Sequence, residues 1–86
     1  MFKSNAEIYK WAEDVAQELE ARSESKWAAK LRAGLYGFTS GEALGAILSA
    51  VSDLRRTHLL EMLGREGEAD QLVVILKHAL HLENES

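Results

Sequence analysis

Cysteine and proline are both missing from the 86 residues, and only 7% of them are aromatic. Without cysteine there is no disulfide, no thiol nucleophile and no zinc ribbon, which suits a reducing compartment. Without proline, nothing breaks a helix from within. The chain also lacks any run of about 18 apolar residues, the length needed to span a membrane. Met1-Phe2-Lys3-Ser4-Asn5 begins no apolar segment of signal-peptide length. These absences make the cytoplasm the expected location, with no membrane partner.

The net charge of −4 is distributed unevenly. Residues 1–24 carry six acidic and three basic groups, residues 25–65 three acidic and six basic, and residues 66–86 five acidic and one basic. The middle is therefore basic and both ends acidic. Such a chain is a poor general nucleic-acid binder, because phosphate contacts need concentrated lysine and arginine. A basic partner suits it better, although a charged surface often serves only to keep a small domain in solution.

The apolar positions recur with helical spacing. Ile8, Trp11, Ala12, Val15, Ala16 and Leu19 form one stripe of a first helix expected from Asn5 to Arg22. Ser4 with Glu7 makes a capping box at its start. Glu13, Asp14, Gln17, Glu18, Glu20 and Glu24 make the rest of that helix acidic. Ser23-Glu24-Ser25 then forms a polar break, with Ser23 or Ser25 capping a second helix of about ten residues. Trp27, Leu31 and Leu35 line its core side, and Lys26, Lys30 and Arg32 face outward. Trp11 and Trp27 are expected in or beside the core.

Gly34-Leu35-Tyr36-Gly37-Phe38-Thr39-Ser40-Gly41-Glu42 ends one helix and starts the next. Gly37 can take the left-handed conformation of a helix stop, and Thr39 with Glu42 forms a second capping box. The third helix begins at Ser40 or Gly41 and carries Leu44, Ile47, Leu48, Val51 and Leu54. Gly41 and Gly45 share a face and suggest close packing of another helix there. The third helix either continues to Leu63 or breaks at Ser52-Asp53, after which Gly64 and Gly67 bracket a turn. The run Leu72-Val73-Val74-Ile75-Leu76 could be read as a buried strand. Helical spacing from Ala69 to Leu80, acids at the start and Lys77, His78 and His81 near the end favour a helix over about Glu68–Leu82.

The expected fold is all-α, a compact bundle of four to five helices in one domain over residues 1–86. The apolar surplus of the second half means either that the last helix is wrapped by the others or that a face stays open. Leu59, Leu60, Leu63, Val74 and Ile75 would supply such a face, and with it a possible homodimer.

Catalytic signatures are not found. No serine sits in a strand–turn–helix setting with a matched histidine and acid. The glycines punctuate helices rather than cradle phosphate. His78 and His81, with Glu85 a turn later, could offer two nitrogens and an oxygen to a metal, but histidines near a helix C-terminus need no metal to explain them. His58 reads as a surface residue. A DNA-reading helix at Glu42–Leu48 would lack the Arg, Lys, Asn and Gln that contact base edges. The expectation is a non-enzyme without cofactor or metal.

Lys26-Trp27-Ala28-Ala29-Lys30-Leu31, Gly37 and Thr39-Ser40-Gly41-Glu42-Ala43-Leu44 together resemble short helical bacterial proteins, some of which are immunity proteins that bind and neutralise a cognate toxin. That resemblance implies a toxin partner and occlusion of its active site. A nuclease is the toxin class whose basic, phosphate-binding cleft would match an acidic surface. Glu13, Asp14, Glu18 and Glu20 are the candidate contacts, with the first three expected on one side of the helix. The alternative is a homo-oligomeric interaction module or regulatory adaptor.

Overall fold

Local signals set most of the helix boundaries in the computed structural model, which describes residues 2–35 and 39–80. The order is α1 (Asn5–Ala21), α2 (Ser25–Leu35), α3 (Ser40–Leu54), α4 (Leu59–Met62) and α5 (Glu66–Ala79), with no strand among the described residues. Among the described residues the fold is therefore an all-α bundle of five helices, one of them a single turn. Tyr36, Gly37 and Phe38 of the turn before α3, and His81, Leu82, Glu83 and Glu85 near the end of the chain, lie outside the described residues.

Both capping residues do what their spacing requires. Ser4 Oγ accepts from the Glu7 N–H at 3.4 Å, while the Glu7 carboxylate reaches one residue past the N-cap, its Oε1 accepting from the Lys3 N–H at 2.8 Å. Thr39 Oγ1 accepts from the Glu42 N–H at 3.1 Å.

The turn between α1 and α2 departs from expectation. Ser23 does not cap α2; it ends α1 in the left-handed conformation, with φ 64°. The Ser23 N–H donates to Glu20 O and the Glu24 N–H to Leu19 O, at 3.0 and 2.8 Å. This pair of bonds satisfies the helix's last carbonyls in the way a glycine usually does. Gly64 does the same after α4, with φ 71°, its N–H bonding Glu61 O and the Arg65 N–H bonding Leu60 O. Gly67 does not bracket that turn, because α5 already begins at Glu66.

The break after α3 comes later than Ser52-Asp53. Thr57 makes it: its hydroxyl donates to Leu54 O at 2.7 Å and accepts from the Leu59 N–H at 3.1 Å. One side chain thus closes α3 and opens α4.

The core draws on every helix. Ile8, Trp11, Val15 and Leu19 of α1 meet Leu31 of α2, Ile47, Val51 and Leu54 of α3, Leu60 of α4, and Leu72 and Leu76 of α5. In sequence around the bundle, α2 lies between α1 and α3, and α5 packs on α3 and α4. The last helix is not wrapped by the others. It buries Ala69, Leu72, Val73 and Leu76 and leaves Val74 65% exposed on the far side. The period of 3.6 that placed Leu72 and Leu76 inward therefore places Val74 outward.

Close packing occurs at a different glycine from the expected pair. A Cβ on Gly45 would meet nothing within 4 Å, and one on Gly41 only Thr39 Oγ1 at 3.8 Å. At Gly34 it would meet Ile47 Cγ1 at 3.1 Å and both Ala46 Cβ and the Ile47 backbone nitrogen at 3.2 Å. Gly34 is thus where α2 and α3 approach most tightly among these three positions.

Candidate protein-binding surface

The carboxylates of α1 flank its apolar stripe rather than cover one outer face. Residues seven apart lie almost in line on a helix, as do residues four apart. Glu13 and Glu20 accordingly share one flank, Asp14 and Glu18 the other. The expectation that Glu13, Asp14 and Glu18 lie together on one side does not hold.

Each flank meets a guanidinium. On the α2 side, Arg32 Nη2 approaches Glu13 Oε1 at 3.1 Å and Nη1 approaches Glu20 Oε2 at 2.6 Å. The Glu20 bond first, and then that of Glu13, raises the Arg32 pKa above its ordinary value. On the other side, Arg65 grips Glu18 with a two-pronged contact, Nε to Oε1 at 2.9 Å and Nη2 to Oε2 at 2.6 Å. Its third nitrogen, Nη1, donates to Glu68 Oε1 at 2.9 Å. The Trp11 indole N–H donates to that same oxygen, also at 2.9 Å. Trp11 is otherwise in the core, with the Phe2 ring edge-on to it at 6.2 Å between centroids.

A polar thread therefore runs Glu18–Arg65–Glu68–Trp11 and ties α1 to the start of α5. It is worth more than an ordinary surface pair because Arg65 is only 22% exposed and its geometry is forked. Arg65→Met should lower stability by about 1–2 kcal/mol after allowing for the water that still reaches Glu18, measured by urea unfolding. The same variant should flatten the acid limb of the stability profile. The Arg65 hydrogen bond, opposed by partial burial, leaves the Glu18 pKa below the ordinary glutamate value. A depressed carboxylate contributes stability that is fully present above the unfolded-state value, about pH 4–5, and is lost as pH falls through the folded-state value.

Asp14 has a weaker tie, to the exposed Lys10 one turn earlier at 3.1 Å. Elsewhere, Arg55 Nε bonds Asp70 Oδ1 at 2.9 Å, joining the end of α3 to α5. Lys30 pairs with Asp53 across α2 and α3. The pairings between helices were not visible in sequence. Arg65 is 47 residues from Glu18, and Trp11 is 57 from Glu68. The only available signal was the coarse one, a basic middle between acidic ends.

Comparison with known protein families, characterised proteins and solved structures returns no match. The surface must be read from its own chemistry.

The remaining candidates divide as follows. His78 is exposed in the last turn of α5, and its proposed co-ligands His81 and Glu85 lie outside the described residues. Among the described residues no group of three histidine, aspartate or glutamate side chains is arranged to hold a metal, and no pocket is present. His58 has a side chain 95% exposed, as its setting in the sequence suggested. No helix among the described residues is long and apolar enough to cross a membrane. Of the apolar face expected at Leu59, Leu60, Leu63, Val74 and Ile75, Leu60 is removed, since it is 1% exposed and part of the core. Leu59, Leu63 and Ile75 are half-buried, and Met62 joins Val74 as an exposed apolar side chain at 53%.

Proposed function

We propose that the chain is an immunity protein that binds a cognate bacterial toxin, of the nuclease class, and occludes its active site without chemistry of its own. The supporting observation is the carboxylate surplus on the two flanks of α1, one of them completed by Glu68 of α5. Arg32 faces two carboxylates, Glu13 and Glu20, and Arg65 faces two more, Glu18 and Glu68. Each guanidinium neutralises one and leaves one over. The pairings also hold the acids on a fixed helix, so a basic partner meets a preorganised negative surface and little side-chain entropy is lost on docking. Such a protein would act in the cytoplasm, where its toxin is made.

Glu13, Asp14, Glu18 and Glu20 remain the proposed contacts, but they are not equivalent in a test. Reversal at Glu18 would unseat Arg65 and confound binding with folding. Asp14 and Glu20 are the clean positions, because Asp14 holds only exposed Lys10 and Arg32 keeps Glu13 when Glu20 is neutralised. The test is co-expression with the product of the gene adjacent to this one, scoring cell survival and isolating the complex. Asp14→Lys with Glu20→Gln should slow association about tenfold at low salt and reduce protection, with the melting temperature nearly unchanged. Full protection by that variant would remove the site assignment. Survival without a complex would remove the function.

A homo-oligomeric interaction module is the second reading, favoured by Met62 and Val74 standing exposed beside half-buried Leu59, Leu63 and Ile75. A tight homodimer in sedimentation, abolished by Val74→Lys, would support it over the first.

A further inference from the structure

The turns that separate the helices are not equally firm. Ser23 and Gly64 reverse the chain in the left-handed conformation, at φ 64° and 71°, which a right-handed helix cannot contain. The stretch between α3 and α4, Arg55-Arg56-Thr57-His58, has neither glycine nor proline and no positive φ. Arg55 is still helical at φ −62° and ψ −20°, and His58 stands at φ −93° and ψ 7°. A rotation of about 50° in ψ would return His58 to the ordinary helical value. The Arg56 and Thr57 N–H groups bond carbonyls three residues back, Asp53 O at 3.1 Å and Leu54 O at 2.9 Å, where a continued α-helix would use those four back. The bend is held by the Thr57 hydroxyl, which bridges Leu54 O and the Leu59 N–H, and by the burial of Leu60. Straightened, one helix would run from Ser40 to Met62 and place Leu60 about 9 Å beyond Leu54 along its axis, out of its own core. α5 would follow, because the Gly64 turn joins it to α4. Leu60, Leu72 and Leu76, now in the core, would then need another surface.

We propose that α4 and α5 form an exchangeable arm, which a second copy accepts in place of its own, giving a domain-swapped dimer with a straightened α3–α4 helix. The occupant follows from the contacts the arm makes. An identical body offers the seat of Leu60, Leu72 and Leu76 together with Glu18 for Arg65, the Trp11 indole for Glu68 and Arg55 for Asp70. A different protein would have to reproduce all of these. In the swap each is remade between chains, so the exchange gives up mainly the Thr57 bonds and the entropy of association. The helical hydrogen bonds gained at the hinge offset part of that loss. The exchange depends on neither functional reading.

Two variants of the full chain, both without the Thr57 hydroxyl, test it by sedimentation equilibrium. Thr57→Ala with His58→Ala favours helix at the hinge; Thr57→Ala with His58→Gly disfavours it. The first should dimerise about thirtyfold more tightly than the second, since the propensity difference counts in both chains. Equal dimerisation, or none by the alanine variant at millimolar concentration, would overturn the proposal. Adding Glu18→Arg to one sample of the alanine variant and Arg65→Glu to another then reads the exchange directly. Alone, each sets like charges against each other, both in the closed monomer and in its own swapped dimer. Refolded together, each arm meets a body of opposite charge, so the mixture should dimerise at least tenfold more tightly than either chain alone. That holds even where neither folds alone, because the mixture should then regain helix. A mixture that behaves as the sum of its parts would overturn the proposal. Val74→Lys, which removes the surface dimer of the second reading, should leave this dimer intact. Its loss in that variant would overturn the exchange in favour of packing through the outer face of α5.

Discussion

Leu60→Ala is expected to remove about 2–5 kcal/mol of stability, a large share of the roughly 4–13 kcal/mol usual for a chain of this length. The reason lies in the size of α4. Four residues cannot hold a helical turn by their own hydrogen bonds, because nucleating a helix costs more than one turn returns. What holds α4 is the burial of Leu60, 1% exposed, in the core shared by all five helices. Truncation leaves a cavity under a turn with no other fully buried anchor.

The damage should also spread along the chain. The Leu60 carbonyl accepts the Arg65 N–H in the turn at Gly64, and that turn aims the Arg65 guanidinium at Glu18 and Glu68. Loosening α4 should therefore disturb the thread that ends on the Trp11 indole. Two readouts follow. The melting temperature should fall by roughly 10–30 °C, at the usual scaling for a small domain, and Trp11 emission should change in the folded baseline. Met62→Ala, two residues on in the same turn but 53% exposed, should cost less than about 0.5 kcal/mol. Equal losses at the two positions would mean that Leu60 is not what attaches α4.

Gly34→Val should be the other severe change, at about 2–4 kcal/mol. Any Cβ at this position lands 3.1–3.2 Å from Ile47 Cγ1, Ala46 Cβ and the Ile47 backbone nitrogen. The first of these can rotate away; the backbone nitrogen can retreat only if α3 moves. A β-branched side chain adds two further carbons to the same space, so α2 and α3 would have to separate along their shared face. Gly45→Ala provides the opposite sign from the same kind of site. Gly45 is inside α3, with nothing within 4 Å of its missing Cβ, so alanine should stabilise the protein by about 0.5–1 kcal/mol through helix propensity alone. Gly34→Ala should lie between, a propensity gain of similar size being offset by the displacement of Ala46 and Ile47. Denaturant unfolding of the three variants checks the set, and a destabilised Gly45→Ala with a neutral Gly34→Val would reverse the assignment of the close contact.

The elements that could be read in advance share one property: their determinants sit within about four residues of each other. Ser4 and Glu7 start α1, Thr39 and Glu42 start α3, and the stripe from Ile8 to Leu19 is buried as its period demands. The places that could not be read depend on a choice between local alternatives that only packing makes. Ser23 was available to cap α2, yet ends α1, because the left-handed turn lets the chain reverse and bring Leu31 against the α1 core. The break after α3 falls at Thr57 instead of Ser52-Asp53, because Leu54 is needed at full burial in the core before the helix can stop. Glycines four apart suggested close approach at Gly41 and Gly45, but which glycine faces a neighbour depends on the crossing of α2 over α3.

Charge shows the division most clearly. By itself the sequence determined how many acids and bases there are and that the basic ones concentrate in the middle. It also determined that the α1 acids would avoid the apolar stripe, since that follows from helical period. Which charges meet was decided only by tertiary structure. Arg32, Arg55 and Arg65 of the basic middle fold onto Glu13, Glu20, Glu18, Glu68 and Asp70 of the acidic ends, so most of the contrast that suggested an external partner is used within the molecule. What the fold leaves over is smaller and better located: one unneutralised carboxylate beside each of Arg32 and Arg65. Long-range pairing of this kind has no local signature, because a guanidinium selects its carboxylate by distance in space and not by distance along the chain.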